Sequence, residues 1–270
     1  NHVPKNEPIG GPIEGRAACH LAPTEWRLLG WMEREGFDYD VYGETQLHDG
    51  TLNLDGYRVL VISTHPEYWS SQMYYRLKQW VFERGGRLMY LGGNGLHAEL
   101  EFVDTATMIV RNGDTTDHAA RGVAGRFAAR HESEANLLGV IYDPRGIMTA
   151  APYEALAAEH WVFAGTGVKN GQMFGQESLH RRVPGGASGH ETDKISPDSP
   201  SNVELLARGL NANGGGAEMV LHRTASGGAV FSAGSICYIS SLLVDDVVSK
   251  ITANVLQRFV EESGGKPDVR

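Results

Sequence analysis

Two short apolar runs, Tyr57 to Ser63 (YRVLVIS) and Arg87 to Leu91 (RLMYL), flank a single helical pattern. No other feature restricts the fold as tightly. A strand buried on both faces reads as a continuous apolar run, and such strands belong to parallel sheets covered by helices. Between the runs, Ser70 can cap a helix whose Met73, Leu77, Trp80 and Val81 recur at i, i+4, i+7 and i+8, and Gly85-Gly86 ends it. Strand, helix, strand at this spacing is a βαβ unit.

Similar patterns lie on either side. Thr24 to Glu35, after Pro23 and before Gly36, places Leu28, Trp31 and Met32 on one helical face. Phe37 to Tyr42 alternates as a strand would. From Glu99 to Gly216 the segments are short and broken by Gly, Pro, Asn, Asp and Ser, which predicts a long irregular, partly β insertion over about 100–216. Glu218 to Arg223 and Ala229 to Ser235 flank Ala225-Ser226-Gly227-Gly228, the arrangement of a hairpin. Asp245 to Glu262 then aligns Val248, Ile251, Val255 and Phe259 along one face. The expectation is one α/β domain over 1–270, a sandwich interrupted by that insertion.

Composition removes several function classes. Lys and Arg total 24 and Asp and Glu 33, a net charge of −9 with no basic run, so neither nucleic acid nor an anionic membrane is an expected partner. No apolar run approaches the ~18 residues of a membrane span. Two cysteines, Cys19 and Cys237, give neither a disulfide framework nor a Cys-rich zinc site. Both read as structural, the adjacent His20 with them. Low cysteine content and the absence of a secretion signal from Asn1-His2-Val3-Pro4-Lys5 predict a cytoplasmic protein, processed or part of a longer chain.

Chemistry concentrates where the two parallel strands end. Thr64-His65-Pro66-Glu67-Tyr68-Trp69-Ser70 joins the first strand to the helix, and open α/β sheets bind ligands at such ends. An imidazole and a carboxylate held two apart by a proline can ligate a metal or form an acid/base pair. The competing structural reading has His65 bonding the turn and Glu67 favoured near a helix N-terminus. The next strand ends in Leu91-Gly92-Gly93-Asn94-Gly95-Leu96-His97, where glycines around one polar residue give an elbow that exposes Asn94. An amide there can donate to a developing oxyanion or orient a carbonyl. Gly189-His190-Glu191-Thr192-Asp193-Lys194 gathers further ionisable groups, and His97, Glu99 and His118 are looser candidates. A Cys–His–Glu glutaminase triad is ruled out, since the elbow carries Asn94 and His65-Pro66-Glu67 precedes it.

Several stretches together resemble the C-terminal domain of the large (beta) subunit of N,N-dimethylformamidase. They are Trp31 to Val41, Thr64 to Trp69, Gly86 to Gly95, Gly185 to Asp193, Gly227 to Ile236 and Val248 to Phe259. The Gly-Gly-Asn-Gly and His-Pro-Glu-Tyr pieces are the most specific. The resemblance implies a three-layer α/β sandwich with a class I glutamine amidotransferase-like, flavodoxin-like sheet. It also implies an amidohydrolase with a mononuclear ferric iron held by two tyrosines and a glutamate, a small amide substrate, a small companion subunit and an oligomeric state. Residue by residue, Glu67 matches the iron glutamate, His65 the neighbouring histidine and Asn94 the asparagine of the pocket. Glu191 is the candidate for a further catalytic carboxylate, with Glu204 as its alternative. The iron tyrosines are expected before Asn1, because no tyrosine here precedes Tyr39. Leu96-His97-Ala98-Glu99 replaces aromatic residues that the family often carries after the elbow. The alternative reading is a non-catalytic domain that binds a carbohydrate or another ligand, or serves assembly. Exposed Tyr68, Trp69 and Trp161 would favour it, whereas His65, Glu67 and Asn94 converging on one small site would favour catalysis.

Overall fold

A computed structural model describes residues 19–104, 107–110 and 125–263. Helix α1 (Ala22–Glu35) has Pro23 in its first turn and stops at Gly36, whose φ of 76° suits a residue without a Cβ. Strand β1 (Leu60–Thr64) is followed by helix α2 (Ser71–Arg84), capped by Ser70 Oγ, which accepts from Met73 N, and closed at Gly85. Strand β2 (Arg87–Gly92) completes the unit, and its register beside β1 is parallel, from Leu60 opposite Leu88 to Thr64 opposite Gly92.

The remaining sheet strands are β3 (Tyr153–Ala155), β4 (Met173–Phe174), β5 (Glu204–Gly209), β6 (Glu218–Arg223) and β7 (Ala229–Ser232). Their spatial order is β1–β2–β7–β6–β5–β3–β4. β1, β2 and β7 are parallel, and every later pairing is antiparallel. The sheet is therefore mixed, with its parallel part confined to one end. The irregular segment over about 100–216 supplies three of the seven strands.

Alternation along these strands sends side chains to two cores. Met89, Leu91, Met219, Leu221 and Phe231 face α1 and the last helix, α3 (Asp246–Glu262), where they meet Leu28, Trp31, Val248, Ile251, Val255 and Phe259. Leu88, Tyr90, Val220 and Val230 face α2 and meet Met73, Leu77, Trp80 and Val81. Helices thus cover both faces, a three-layer arrangement. No described helix is long and apolar enough to cross a membrane.

Phe37 to Tyr42 is not a strand. Phe37 turns back to stack on Trp31, with ring centroids 5.6 Å apart. The polar neighbours then bond locally on the surface, Tyr39 to Glu33 and Tyr57 to Asp40 and Tyr42. Alternation alone gave this segment no ladder to join.

Candidate active site

Thr64 and Gly92 end neighbouring parallel strands, so the loops after them leave the same edge of the sheet. Backbone bonds join the two loops: Gly93 N donates to Thr64 O (3.2 Å), Leu96 N to Pro66 O (2.8 Å) and Ala98 N to Glu67 O (2.9 Å). A third segment, Gly189 to Asp193, lies against them, with Ile236 N donating to Glu191 O. Gly93 is where this segment touches the elbow. A Cβ there would stand 2.6 Å from Glu191 O and 2.9 Å from Ile236 N, closer than real Cβ contacts come.

Six described non-glycine residues have positive φ, and Thr64 (63°), at the end of β1, and Asn94 (51°), Leu96 (57°) and His190 (68°), in the loops, all lie here. Each such residue stores roughly 1–3 kcal/mol of strain, which surrounding bonds must hold. At Asn94 those bonds come from Asp193. Its Oδ1 accepts Asn94 N (2.8 Å) and its Oδ2 accepts the Tyr90 hydroxyl (2.8 Å), while Tyr90 Oη accepts Gly95 N (2.7 Å). Asp193 and Tyr90 are both buried. The elbow is thus clamped from below by two buried side chains.

The structure brings His65, Glu67, Asn94 and Glu191 together. His65 Nε2 lies 3.2 Å from Glu191 Oε2, 3.5 Å from Glu67 Oε2 and 3.3 Å from Asn94 Nδ2. The opposite ring nitrogen, Nδ1, is 3.0 Å from His20 Nε2. The Asn94 side chain also bonds Glu191, and the Tyr68 side chain bonds Glu67. Asn94 Oδ1 and Thr64 Oγ1 are buried with no partner among the described residues. A bound molecule can therefore still find hydrogen-bonding capacity here.

The two carboxyls differ in character. Burial raises Glu67 above the ordinary range, although His65 and Tyr68 oppose the shift. Burial pushes Glu191 the same way, but bonds from His65 and Asn94 overcome it and hold the group below that range. Two carboxyls with affinities for protons pushed apart can take different roles in one reaction. Burial, followed by the neighbouring Glu67, pushes the Tyr68 hydroxyl up to about 12, so it stays a donor.

The other candidates lie elsewhere. Glu204 sits on β5, 3.7 Å from His160 with half its side chain exposed, and does not meet His65. Glu99 is engaged by His131 and Arg130, and His97 packs against Tyr142. His118 falls outside the described residues. Trp69 is buried and Trp161 lies beneath Arg258, so the three aromatics form no exposed platform. Cys237 is buried and free, as its structural reading implies. The turn before α1 sets the His20 ring against His65. Asp193 belongs to the 189–194 group of ionisable residues, but spacing gives no hint of its clamp on the elbow, nor of His20 or Tyr90, because their partners are remote in sequence.

Glu67 is an oxygen donor at the edge of the cluster, and a carboxylate suits a hard ferric ion. Tyr39 and Tyr42 are held on the surface by Glu33 and Tyr57, and no described group of three or more His, Cys, Asp or Glu is arranged to hold a metal. Glu67 suits such an ion as one oxygen donor, and the Tyr68 hydroxyl bonds its side chain.

A family model described as "N,N-dimethylformamidase beta subunit-like, C-terminal" matches residues 3–251. Two curated relatives are N,N-dimethylformamidase beta subunits from an Alcaligenes species and from Paracoccus aminophilus. Each is 29% identical over 92% of this chain and 38% of its own length. The chain thus spans well under half the length of these relatives. A crystal structure of a ThuA-like protein from Bacteroides uniformis covers 91% of this chain and 86% of its own, at 13% identity and a TM-score of 0.49.

Proposed function

Because this chain belongs to the N,N-dimethylformamidase beta subunit-like, C-terminal family, we propose that it contributes acid/base residues to a centre that hydrolyses the C–N bond of a small amide. One observation carries the reading: a single imidazole nitrogen within 3.5 Å of two carboxyls of opposite tendency, beside a clamped amide. The relatives' names supply the reaction class.

In this proposal Glu191 accepts a proton from the attacking water as oxygen adds to the amide carbon. The C–N bond then breaks, and the amine leaves with a proton delivered through His65 Nε2. Asn94 meets the carbonyl oxygen as it gains charge. Glu67 would supply one oxygen ligand to a ferric iron, with tyrosine ligands from outside these residues. Such an ion, when bound, polarises the carbonyl or lowers the pKa of a bound water. The glutamine amidotransferase-like sheet, cytoplasmic location and association with a companion subunit or further copies belong to the same proposal; the relatives' designation as beta subunits supports the association.

The test measures amine release from dimethylformamide and related small amides by the longest native form of the protein, with iron determined by mass spectrometry. Glu67→Ala should lose both iron and activity. Full iron occupancy in that variant would remove Glu67 from the ligand set, and no amide cleavage by the intact protein would sink the hydrolase reading.

A further inference from the structure

Glu67 and Glu191 make one side of His65 acidic, and on its other side the charge reverses. His20 Nε2 is 3.0 Å from His65 Nδ1. The His190 ring stands edge-on to His20 at 4.4 Å between centroids, and His190 Nδ1 is 3.2 Å from His180 Nε2. His180 is buried and fixes the turn around it. Its backbone N–H donates to Ser178 Oγ at 3.2 Å, and its Nδ1 accepts the N–H of Val183 at 3.1 Å. Arg181 and Arg182 stand exposed within that turn. Leu179 N donates to Ser240 O at 2.9 Å and Arg27 Nη1 to Ser240 Oγ at 3.2 Å, so one serine brings Arg27 beside the two.

These guanidiniums are close enough to act on one another and on the rings. Burial, then His190, Arg27 and Arg182, push His180 down to about 4. Arg182 also bears on His20 and His190, in each case after burial, and Arg181 lowers Arg27 after burial does. The positive charge here belongs to the arginines. Among the described residues none of the three has a carboxylate within ion-pair distance, although the chain carries 33 acidic residues against 24 basic ones. Arg34, Arg84, Arg130, Arg145, Arg208 and Arg223 each do. Like charges held side by side repel, and a bound anion relieves them. A guanidinium fork matches a carboxylate with two parallel hydrogen bonds.

We propose that Arg182, with Arg27 beside it and Arg181 at the rim, is a carboxylate subsite of the amide-binding site, so that the amide this chain takes carries a carboxylate of its own. The two ends of such a molecule need opposite surroundings. Its carboxylate is repelled by Glu67 and Glu191 and held by the arginines, which leaves the amide group at His65 and Asn94 with the half-buried His20 between the two ends. A molecule turned the other way would set carboxylate against carboxylate, so charge also fixes its direction. A neutral dialkyl amide offers the arginines nothing. The substrate class rests on the proposed hydrolysis, whereas capture of a carboxylate at this turn does not.

Calorimetric binding to the longest native form, at about 0.15 M salt where exposed charges are partly screened, compares charged amides with neutral ones of similar length. N-formyl-β-alanine, with its carboxylate on the amine side, is set against N-butylformamide; succinamate, with its carboxylate on the acyl side, is set against valeramide. The charged member of at least one pair should bind about 10–100-fold more tightly, the worth of a hydrogen bond to a charged group, and the pair that responds tells which side of the C–N bond carries the charge. That ratio should fall toward one in Arg182→Gln and recover in part in Arg182→Lys. The Arg182 side chain is exposed, so both variants should keep the native unfolding midpoint. Acetate alone should bind at least about 10-fold more weakly than the preferred amide, because it lacks the amide end. Charged amides that bind no better than their neutral partners, a ratio unchanged in Arg182→Gln, or acetate bound as tightly as the amide would each overturn the subsite. Cleavage is followed separately, as formate plus β-alanine or as succinate plus ammonium. Charged amides bound through Arg182 but never cleaved would defeat the hydrolase reading alone, and cleavage of dimethylformamide with no preference for charge would defeat the subsite alone.

Discussion

Glu191 meets the strand-end loops twice: its carboxylate stands 3.2 Å from His65 Nε2, and its backbone carbonyl occupies the space a Cβ on Gly93 would need. The carboxylate that completes the cluster is therefore placed by its own backbone. Gly93→Ala should push the 189–193 segment away from the elbow. We expect a loss of about 1–3 kcal/mol in stability by denaturant unfolding and a fall in any amide-cleaving activity larger than that loss explains. Native activity and unfolding midpoint in this variant would contradict the placement.

Glu191→Gln and His65→Asn test the proton path directly. Each is nearly isosteric, and each side chain keeps some exposure (11% for His65 and 16% for Glu191), so the melting temperature should stay within a few degrees. Amine release should fall about 10²–10⁴-fold, the usual worth of a positioned acid or base. Glu204→Gln, on β5 and away from the cluster, should leave the rate unchanged. Loss of activity in Glu204→Gln with retention in Glu191→Gln would reverse the assignment.

Tyr90→Phe deletes the hydroxyl that links Gly95 N to Asp193. One buried backbone N–H and one carboxylate oxygen lose a partner, which should destabilise the protein by roughly 1–3 kcal/mol. Because the same bonds hold Asn94 at positive φ, kcat should fall while substrate KM changes little. Urea unfolding and steady-state kinetics on the one variant separate the two effects.

Stability should fall between about pH 4 and pH 7. Burial raises Glu134 and Asp193 each to about 7. Between the ordinary carboxyl value of ~4 and 7 the folded state therefore binds more protons than the unfolded chain. Stability is highest below that window and lost as pH rises through it. Glu134→Gln should flatten the decline and stabilise the protein above pH 7 by roughly a few kcal/mol, read from unfolding midpoints across the range. Glu262 works in the opposite sense. Arg223, with Arg258, holds it down to about 2, so its contribution is complete above ~4.5 and lost as pH falls toward 2. Glu262→Gln should remove that acid-side loss.

The βαβ unit was legible because each of its signals is local. Continuous apolar runs marked β1 and β2, Ser70 and Gly85 marked the ends of α2, and period 3.6 marked its buried face. The mixed sheet was not legible, since β3 and β4 have three and two residues and acquire their identity by pairing, β3 with β5 and β4 with β3, not from any pattern of their own. At the site, His65 and Asn94 could be read from strand ends and glycine spacing. Glu191 could be named from the resemblance, although only the structure sets it beside His65 and sets Glu204 apart. His20 had no readable mark. It meets His65 across 45 positions of sequence, a contact that neither periodicity nor turn chemistry encodes.

The loops that build the cluster come from well-separated parts of the chain, and this has a kinetic consequence. Closing long loops is slow, and the reward comes only after closure. During refolding, β1, α2 and β2 can form from neighbouring residues before the 189–193 segment arrives. The Gly93 contact, the Asp193 clamp and the His20–His190 packing would then assemble together, in the last step. Recovery of function should lag behind recovery of secondary structure, making activity a clock for the completed chain.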